Sequence, residues 1–234
     1  MNIKGSVALV TGANRGLGAA FAHALLAEGA STVYGAARSD FTPTEPGLVP
    51  VRLDVTDAEQ VAALARQLSD VDIVINNAGV FHGATALDPD LATGLRADLE
   101  TNLFGTLHVS QAFAPVLGAN GGGALVNVLS VASWRSLPGF AAYAPSKAAA
   151  WSLTNALRLE LRENGTLVVG VHVGYIDTDM TAGITAPKNS PEEVVGHVLR
   201  ALEKDEEEVL VDDVTRQVKA GLSADVATLY PRSA

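Results

Sequence analysis

A glycine-rich turn near the start of the chain lies between an apolar segment and a helical one. Residues 7–10 (VALV) are wholly apolar, which is typical of a strand buried on both faces of a parallel sheet. The turn, residues 11–18, leads into an alanine- and leucine-rich segment that predicts a helix ending at Gly29. Glycines let a backbone approach a pyrophosphate closely, and a helix N-terminus offers it free N–H groups. We interpret this as a phosphate-binding unit, with an ordinary tight turn as the alternative.

The same alternation of apolar strands and amphipathic helices continues along the chain. Further strands are predicted at residues 31–37, 48–53, 71–75, 124–129 and 209–211, and helices at residues 58–68, 90–117, 143–162 and from Pro191 onwards. This pattern predicts an α/β fold: a single-domain, Rossmann-type, doubly wound parallel sheet of about seven strands with helices on both faces. Ligands of such sheets bind beyond the carboxyl ends of the strands, where the glycine turn, Asp54, Asn77 and Gly79 fall.

Composition limits the kinds of protein that this chain can be. Its 234 residues, 48% of them hydrophobic, suit one compact domain, residues 1–234. A formal net charge of -10 argues against a nucleic-acid partner, and the lack of cysteine excludes disulfides, thiolate metal sites and a cysteine nucleophile. The five histidines lack metal-ligand spacing, so we expect no metal site. With no signal-peptide or membrane-spanning pattern, we expect a cytoplasmic protein that does not bind a membrane.

Two arginines suggest which dinucleotide the glycine turn would bind. Dinucleotide-binding folds place a ribose-reading group about 20 residues after the glycines, and Arg38 rather than an acid ends the second predicted strand. Arg15 lies inside the glycine turn. Two guanidinium groups suit a ribose 2′-phosphate, which favours NADP(H) over NAD(H) as the cofactor. Asp40 lies close enough in sequence to keep NAD(H) as the alternative.

Tyr143 and Lys147 are four residues apart and stack on one face if they open the helix of residues 143–162. A nearby ammonium group favours the ionised phenol and lowers its pKa from about 10, which would suit acid–base chemistry. The spacing alone is a weak signal, because a solvated tyrosine and lysine would look the same. Ser130 follows a predicted strand on the ligand side of the sheet, and Asn102 interrupts a predicted helix as either an exposed or a site residue.

Taken together, these residues resemble the short-chain dehydrogenase/reductase family over nearly the whole chain. The shared features are a TGxxxGxG turn at residues 11–18, Asp54, the NNAG run at residues 76–79, Asn102, Ser130, the YxxxK pair and the segment 174–178. The resemblance implies that Tyr143 is the acid–base group, that Ser130 polarises the substrate carbonyl, and that Lys147 binds the nicotinamide ribose and lowers the tyrosine pKa. It also implies that Asn102 helps to hold a water molecule that relays protons to the lysine.

The resemblance also implies a set of cofactor contacts. Asp54 and Val55 would border the adenine, residues 77–79 the adenosine side, and Ile176 and Thr178 the nicotinamide carboxamide. The full predicted cofactor-binding set is Gly12, Asn14, Arg15, Gly16, Leu17, Gly18, Arg38, Asp54, Val55, Asn77, Ala78, Gly79, Tyr143, Lys147, Ile176 and Thr178.

The implied activity is NADP(H)-dependent interconversion of a small-molecule ketone or aldehyde and its alcohol, without a metal. A non-catalytic NADP(H) sensor on the same scaffold is the main alternative. An epimerase or dehydratase is a third, but roughly 55 residues follow Thr178, too few for the larger substrate domain of those enzymes. Family members associate as homodimers or homotetramers through two long helices, here residues 90–117 and 143–162.

Two features depart from the family pattern. Val173 stands where relatives usually have a proline before the glycine at the end of the sixth strand, which puts the contacts of Thr178 in doubt. The segment between Thr178 and the helix at Pro191 is short, and we expect residues 179–190 to be a brief substrate loop over a rather open pocket. Trp134, soon after Ser130, is a candidate wall of that pocket.

Overall fold

The computed structural model describes residues 1–231; residues 232–234, the end of the predicted domain, lie outside the described part. Within that part the chain forms a seven-stranded parallel sheet in the order β3-β2-β1-β4-β5-β6-β7. The strands are β1 (Val7–Thr11), β2 (Thr32–Ala37), β3 (Leu48–Arg52), β4 (Ile73–Asn76), β5 (Ala124–Val128), β6 (Leu167–His172) and β7 (Glu208–Leu210). The order runs outwards from β1 and β4, so the chain winds in both directions, and the predicted doubly wound fold is confirmed.

Helices cover both faces of the sheet. They are α1 (Gly16–Ala27), α2 (Ala58–Gln67), α3 (Leu91–Leu99), α4 (Thr106–Ala119), α5 (Tyr143–Glu160), α6 (Pro191–Glu203), α7 (Asp213–Ala220) and α8 (Val226–Leu229). One core contains Phe21 of α1 and Val198 of α6; the other contains Val61 of α2, Phe113 of α4 and Leu157 of α5. Central strands are buried on both faces, which explains their apolar runs. The two C-terminal helices α7 and α8 were not predicted.

The helix predicted for residues 90–117 is not one regular α-helix. A π-helical segment, Glu100–Gly105, separates α3 from α4. Asn102 lies in this segment and is buried, and Gly105 packs so closely on Val55 that a Cβ there would lie 2.6 Å from Val55 Cγ2. Wider helical turns of this kind frequently occur at functional sites. The apolar periodicity revealed the helix but not the local change in its winding.

Candidate active site

Ser130 lies directly after β5, at the carboxyl edge of the sheet. It is buried in extended backbone and caps a short 3₁₀ turn, Val131–Ser133: its hydroxyl oxygen accepts a hydrogen bond of 3.1 Å from the amide of Ala132. The hydroxyl also donates a long bond of 3.5 Å to the Val173 carbonyl. Because this last bond is weak, the Ser130 proton is available to a ligand oxygen.

Tyr143 and Lys147 begin α5 and lie on one side of it, as their spacing predicts. The Lys147 ammonium nitrogen is 5.7 Å from the centre of the Tyr143 ring and donates a hydrogen bond of 2.8 Å to the carbonyl of Val128 in β5. Lys147 is buried, whereas Tyr143 keeps part of its surface exposed. The Val128 carbonyl therefore holds the buried lysine ammonium group beside the partly exposed phenol.

Burial controls the pKa values of both groups. Burial raises the pKa of Tyr143 to about 12, although a hydrogen bond with the Ser130 side chain lowers it and the Asp98 charge raises it. Burial lowers the pKa of Lys147 to about 8, and Asp98 opposes this effect. Loss of solvation is the largest cause of the tyrosine shift, and the expected lowering of this pKa by Lys147 stays a prediction. At neutral pH Tyr143 is a protonated phenol, which is the form of a proton donor.

Asn102 joins the π-helical segment to two other parts of the site. Its side-chain oxygen accepts a hydrogen bond of 2.9 Å from the Val80 amide, and its nitrogen donates to the Val80 carbonyl at 3.0 Å and to the Ser146 hydroxyl at 2.9 Å. Ser146 in turn donates to the backbone carbonyl of Tyr143 at 2.7 Å. Asn102 thus positions α5 against the turn after β4, and its side chain is fully used by protein groups.

An unpredicted pair, Asp98 and His82, lies next to these residues. Asp98 is completely buried, one helical turn before Asn102, and its carboxylate lies 2.6 Å from Nδ1 of His82. Half of the His82 side chain is exposed. Asp98 is the charge that acts on the pKa of both Tyr143 and Lys147. The sequence predicts an ordinary histidine at His82, and only the apolar positions around Asp98 indicate that this acid faces inwards.

His172 supports the strand end that carries Ser130. Burial lowers its pKa to about 3, so the ring is neutral, and its Nδ1 lies 3.2 Å from the Ser130 carbonyl. Trp134 stacks on this ring at 3.8 Å and packs edge-on against Trp151 at 6.0 Å. Trp134 therefore packs against the ring that supports Ser130, and its role as a pocket wall stays a prediction.

The glycine turn approaches the NNAG turn closely. Gly12 and Gly16 have positive φ angles of 68° and 54°, and a Cβ on Gly18 would lie 2.1 Å from the Gly12 carbonyl oxygen. The Asn77 side chain donates to the Thr11 carbonyl at 2.8 Å, and the amides of Asn77 and Ala78 donate to the Thr11 hydroxyl at 3.0 Å. Thr11 therefore fixes the two turns side by side at the carboxyl edge.

The start of α1 is open to an anion. Asn14, Arg15 and Gly16 are exposed, Leu17 is buried beneath them, and the helix has neither a side-chain cap nor an acidic residue in its first turn. Its free N–H groups and positive dipole end are therefore not neutralised. Gly79 leaves space beside Asn102 and Lys147. A Cβ at this position would lie 3.2 Å from Asn102 Oδ1 and 3.8 Å from the Lys147 nitrogen.

The two predicted phosphate-reading arginines have different neighbours. Arg15 pairs with Asp179 at 3.0 Å, and both side chains are largely exposed. Arg38 instead lines a cavity of about 380 Å³ with Arg52, Asp54, Asp57 and Gln60. The cavity acids serve as local caps: Asp54 accepts from the Thr56 hydroxyl at 2.8 Å, and Asp57 accepts from the Gln60 amide at 3.0 Å. Arg52 is the second guanidinium here, and the sequence analysis did not identify it.

Val55 borders this region from below. It is buried against the π-helical segment, and its carbonyl lies 3.1 Å from Nδ1 of His108. Asp54 and Val55 therefore lie between the Arg38 cavity and the helix that carries Asn102, at the edge where the sequence analysis expects them.

An aspartate holds the turn where a proline was expected. Asp212, the cap of α7, accepts hydrogen bonds of 2.8 Å from the Gly174 amide and of 2.8 Å from the Asn189 side chain. Burial raises the pKa of Asp212, but hydrogen bonds from Thr215, Gly174 and Asn189 outweigh this and lower it overall. Thr178, at the end of the turn, lies over the glycine loop, since a Cβ on Gly16 would be 3.3 Å from its methyl group. Asp212 thus replaces the constraint that Val173 lacks.

Ile176 lies on the same turn and is fixed from two sides. It forms an isolated parallel bridge with Asn189, and its carbonyl accepts a hydrogen bond from the Thr181 hydroxyl. No residue from 179 to 190 is buried.

Among residues 1–231 there is no cluster of three or more histidines, aspartates or glutamates that could hold a metal, and no helix in that range is long and apolar enough to cross a membrane.

The pKa of Lys147 makes stability depend on pH. The unfolded chain keeps this proton up to pH 10.5, but the folded chain releases it near pH 8, so the unfolded state binds more protons in this window. We expect the free energy of unfolding to rise from pH 8 towards pH 10, by about 1 kcal/mol per pH unit from this group. Above pH 10 the raised pKa of Tyr143 acts in the opposite direction. Urea unfolding of the Lys147→Met variant should lack the rise; an equal rise in variant and wild type would contradict the prediction.

Comparison with known proteins identifies the family. A family model described as short chain dehydrogenase matches residues 6–189. The crystal structure of a short chain dehydrogenase from Burkholderia cenocepacia in complex with NADP is 41% identical, covers 98% of both chains and has a TM-score of 0.92. A 3-oxoacyl-[acyl-carrier-protein] reductase from Synechocystis sp. is 30% identical over 92% of this chain and 96% of its own length. A 7alpha-hydroxysteroid dehydrogenase from Escherichia coli is 32% identical over 80% of this chain and 78% of its own length. The chain belongs to the short-chain dehydrogenase family.

Proposed function

We propose that this protein is an NADP(H)-dependent oxidoreductase that interconverts a ketone or aldehyde and the corresponding alcohol. The observation that carries the proposal is the convergence of Ser130, Tyr143 and buried Lys147 at one end of the sheet, beside the open glycine turn. A protonated phenol, a hydroxyl donor and an ammonium group meet there. Together they can supply a proton and stabilise negative charge on an oxygen atom.

The residues present fit a dinucleotide phosphate. The uncapped N-terminus of α1 suits a pyrophosphate, and the cavity that Arg38 shares with Arg52 suits a 2′-phosphate. Arg15 can join them at little cost, because its ion pair with Asp179 is exposed and such pairs contribute about 0–1 kcal/mol. The Burkholderia cenocepacia relative, 41% identical, was crystallised with NADP. Asp54 and Asp57 line the same cavity, and they keep NAD(H) as the alternative.

The proposed mechanism assigns one task to each side chain. The bound nicotinamide supplies the hydride in reduction and accepts it in oxidation. Tyr143 donates its phenolic proton to the carbonyl oxygen, and Ser130 donates a hydrogen bond to the same oxygen as it gains charge. Lys147 holds the nicotinamide ribose, and its charge stabilises the phenolate left after proton transfer. Asn102 positions α5 and the turn after β4 around the lysine.

Residues 179–190 are the proposed substrate loop, since they follow the turn that lies over Gly16 and none of them is buried. A homodimer or homotetramer also belongs to the proposal. The oligomeric state stays a prediction.

The activity is tested by following absorbance at the nicotinamide band with NADPH and NADH side by side against a panel of ketones and aldehydes. We expect reduction with at least one carbonyl class and higher kcat/KM with NADPH. Tight NADPH binding with no consumption across the panel would overturn the enzymatic proposal and favour the sensor.

Arg38 should determine the cofactor preference. Arg38→Ala removes a charge-assisted hydrogen bond to the 2′-phosphate, so the dissociation constant for NADPH should rise about 10- to 100-fold while that for NADH changes little. Arg38→Lys keeps the charge but loses the planar guanidinium group, so its dissociation constant for NADPH should lie between those of the wild type and Arg38→Ala. Arg66→Ala, which removes an exposed arginine from α2, is the control. Equal weakening of NADPH and NADH by Arg38→Ala would contradict a role in reading the phosphate.

A further inference from the structure

Three aromatic side chains lie around the proposed reacting phenol and form a cluster of four rings with it. The ring of Phe81 lies 5.3 Å from Tyr143 and 5.1 Å from Phe140, measured between centroids. Phe140 lies 5.9 Å from Tyr143 and 6.4 Å from Tyr175. All four pairs are edge-to-face, with interplanar angles between 64° and 81°. Phe81, Phe140, Tyr143 and Tyr175 are called the aromatic cluster below.

Backbone hydrogen bonds fix the two phenylalanines of the cluster relative to each other. The Ala84 amide donates to the Gly139 carbonyl at 3.0 Å, and the Ala141 amide donates to the Ala84 carbonyl at 3.1 Å. These bonds tie the segment after β4 to the segment that enters α5. The relative positions of the Phe81 and Phe140 rings are therefore built into the fold before a ligand arrives.

The cluster is not covered by the protein. Phe81 is 37% exposed, and Phe140, Tyr143 and Tyr175 are each partly exposed. When an apolar ligand covers exposed apolar rings, the burial of their surface from water favours binding. Edge-to-face rings also present edges and faces on which a further aromatic ring packs better than a saturated one.

The charged side chains of the segment after Tyr175 do not supply a cation for an anionic substrate, and Lys147, 5.7 Å from the Tyr143 ring, is buried and donates to the Val128 carbonyl. Residues 175–190 contain Asp177, Asp179 and Lys188 as their charged side chains, so this segment is net negative. Lys188 pairs with Asp177 at 3.1 Å, and Arg15 pairs with Asp179 at 3.0 Å. On the opposite side, the His82 ring is held by Asp98. A substrate carboxylate would have to displace one of these partners or meet an acid.

We propose that the carbonyl substrate is an uncharged molecule with an aromatic ring a few bonds from the carbonyl, and that Phe81 is the residue that selects this ring. The proposal rests on the reductase function proposed above and names its substrate class. The ring packs on Phe81 and Phe140, while the carbonyl oxygen reaches Tyr143 and Ser130.

The test compares three methyl ketones whose carbonyl groups have similar reactivity: 4-phenylbutan-2-one, 4-cyclohexylbutan-2-one and the carboxylated 4-oxopentanoate. With NADPH, the wild type should have a kcat/KM for the phenyl ketone about tenfold above that for the cyclohexyl ketone, as expected for an added aromatic pair. The carboxylated ketone should be the poorest substrate. Faster turnover of the carboxylated ketone would overturn the proposal and indicate a cation at the site.

Variants assign the preference to one ring. Phe81→Ala should bring the phenyl-to-cyclohexyl ratio close to one, and Phe81→Leu should do the same while keeping the apolar bulk. Phe104→Ala removes a phenylalanine of similar exposure, 42%, from the π-helical segment and should keep the wild-type ratio. A wild-type ratio in both Phe81 variants would show that the cluster rings pack only on one another, and would overturn the assignment.

A binding measurement separates this inference from the proposed function. Calorimetry with the NADPH-loaded Tyr143→Phe variant compares binding of the phenyl and cyclohexyl ketones without turnover. Selective binding of the phenyl ketone together with no reduction by the wild type would refute the reductase and leave the aromatic site standing. Reduction by the wild type together with equal binding of both ketones would support the reductase and refute the aromatic site.

Discussion

Tyr143→Phe should lower kcat for ketone reduction by about a hundred- to ten-thousand-fold, the range typical of losing a positioned acid–base group. The substitution removes the phenolic oxygen alone and keeps the ring that packs against Phe81 and Phe140. Cofactor affinity should change little, because the glycine turn and the Arg38 cavity are untouched. Initial rates at saturating NADPH, together with the dissociation constant for NADPH from fluorescence titration, measure the two quantities separately.

Tyr34→Phe provides the control for this experiment. Its hydroxyl, on β2, lies 3.4 Å from the Asp70 carboxylate at the surface, so the same chemical change is made away from the proposed site. This control should keep wild-type kcat. Reduction of ketones by Tyr143→Phe at the wild-type rate would refute the acid–base assignment, whereas loss of NADPH binding would show that the ring, not the proton, had been disturbed.

The fold was predictable because its pattern is local in sequence. Each central strand is a short apolar run, and Asp57 caps α2 by accepting a hydrogen bond from the Gln60 amide. Parallel strands place their carboxyl ends at one edge, so Ser130 and the turn after β4 had to meet the glycine loop. The spacing of Tyr143 and Lys147 then brought the second half of the site onto one helix face.

What the sequence did not reveal depends on contacts between distant segments. The π-helical segment arises where Gly105 packs on Val55, and no periodicity signals such a contact. Arg15 pairs with Asp179 and Asp98 pairs with His82, across 164 and 16 residues respectively. Side-chain partners of this kind are set by the folded surface rather than by local spacing.

The direction of the tyrosine pKa shift depends on burial for a related reason, and the effect of Lys147 on it stays a prediction. The spacing of Tyr143 and Lys147 predicts an attractive charge effect, but the extent of burial is a property of the whole fold. In the structure, burial raises the pKa of the phenol and lowers the pKa of the lysine. Both shifts favour the neutral forms, but a lysine with a pKa of about 8 is still mostly an ammonium group at neutral pH, so the site pairs a protonated phenol with a cation.

Of the glycine-to-alanine substitutions in the glycine turn, Gly18→Ala should lower stability the most. A Cβ at this position would lie 2.1 Å from the Gly12 carbonyl oxygen and 2.6 Å from the Asn77 side-chain nitrogen. Backbone must therefore move, and with it the contact that fixes the glycine turn to the turn after β4. We expect the free energy of unfolding to fall by about 3 kcal/mol and NADPH affinity to fall with it. Urea unfolding with and without NADPH measures both effects.

Gly196→Ala makes the identical chemical change in α6, where a Cβ would meet no atom within 4 Å. Because alanine loses less chain entropy than glycine in a helix, this variant should be more stable than the wild type by about 0.5–1 kcal/mol. The two substitutions should thus have opposite signs. If Gly18→Ala were also stabilising and bound NADPH normally, the close approach between Gly18 and Gly12 would not be needed. That result would contradict the proposal that the shape of the glycine turn is required for NADPH binding.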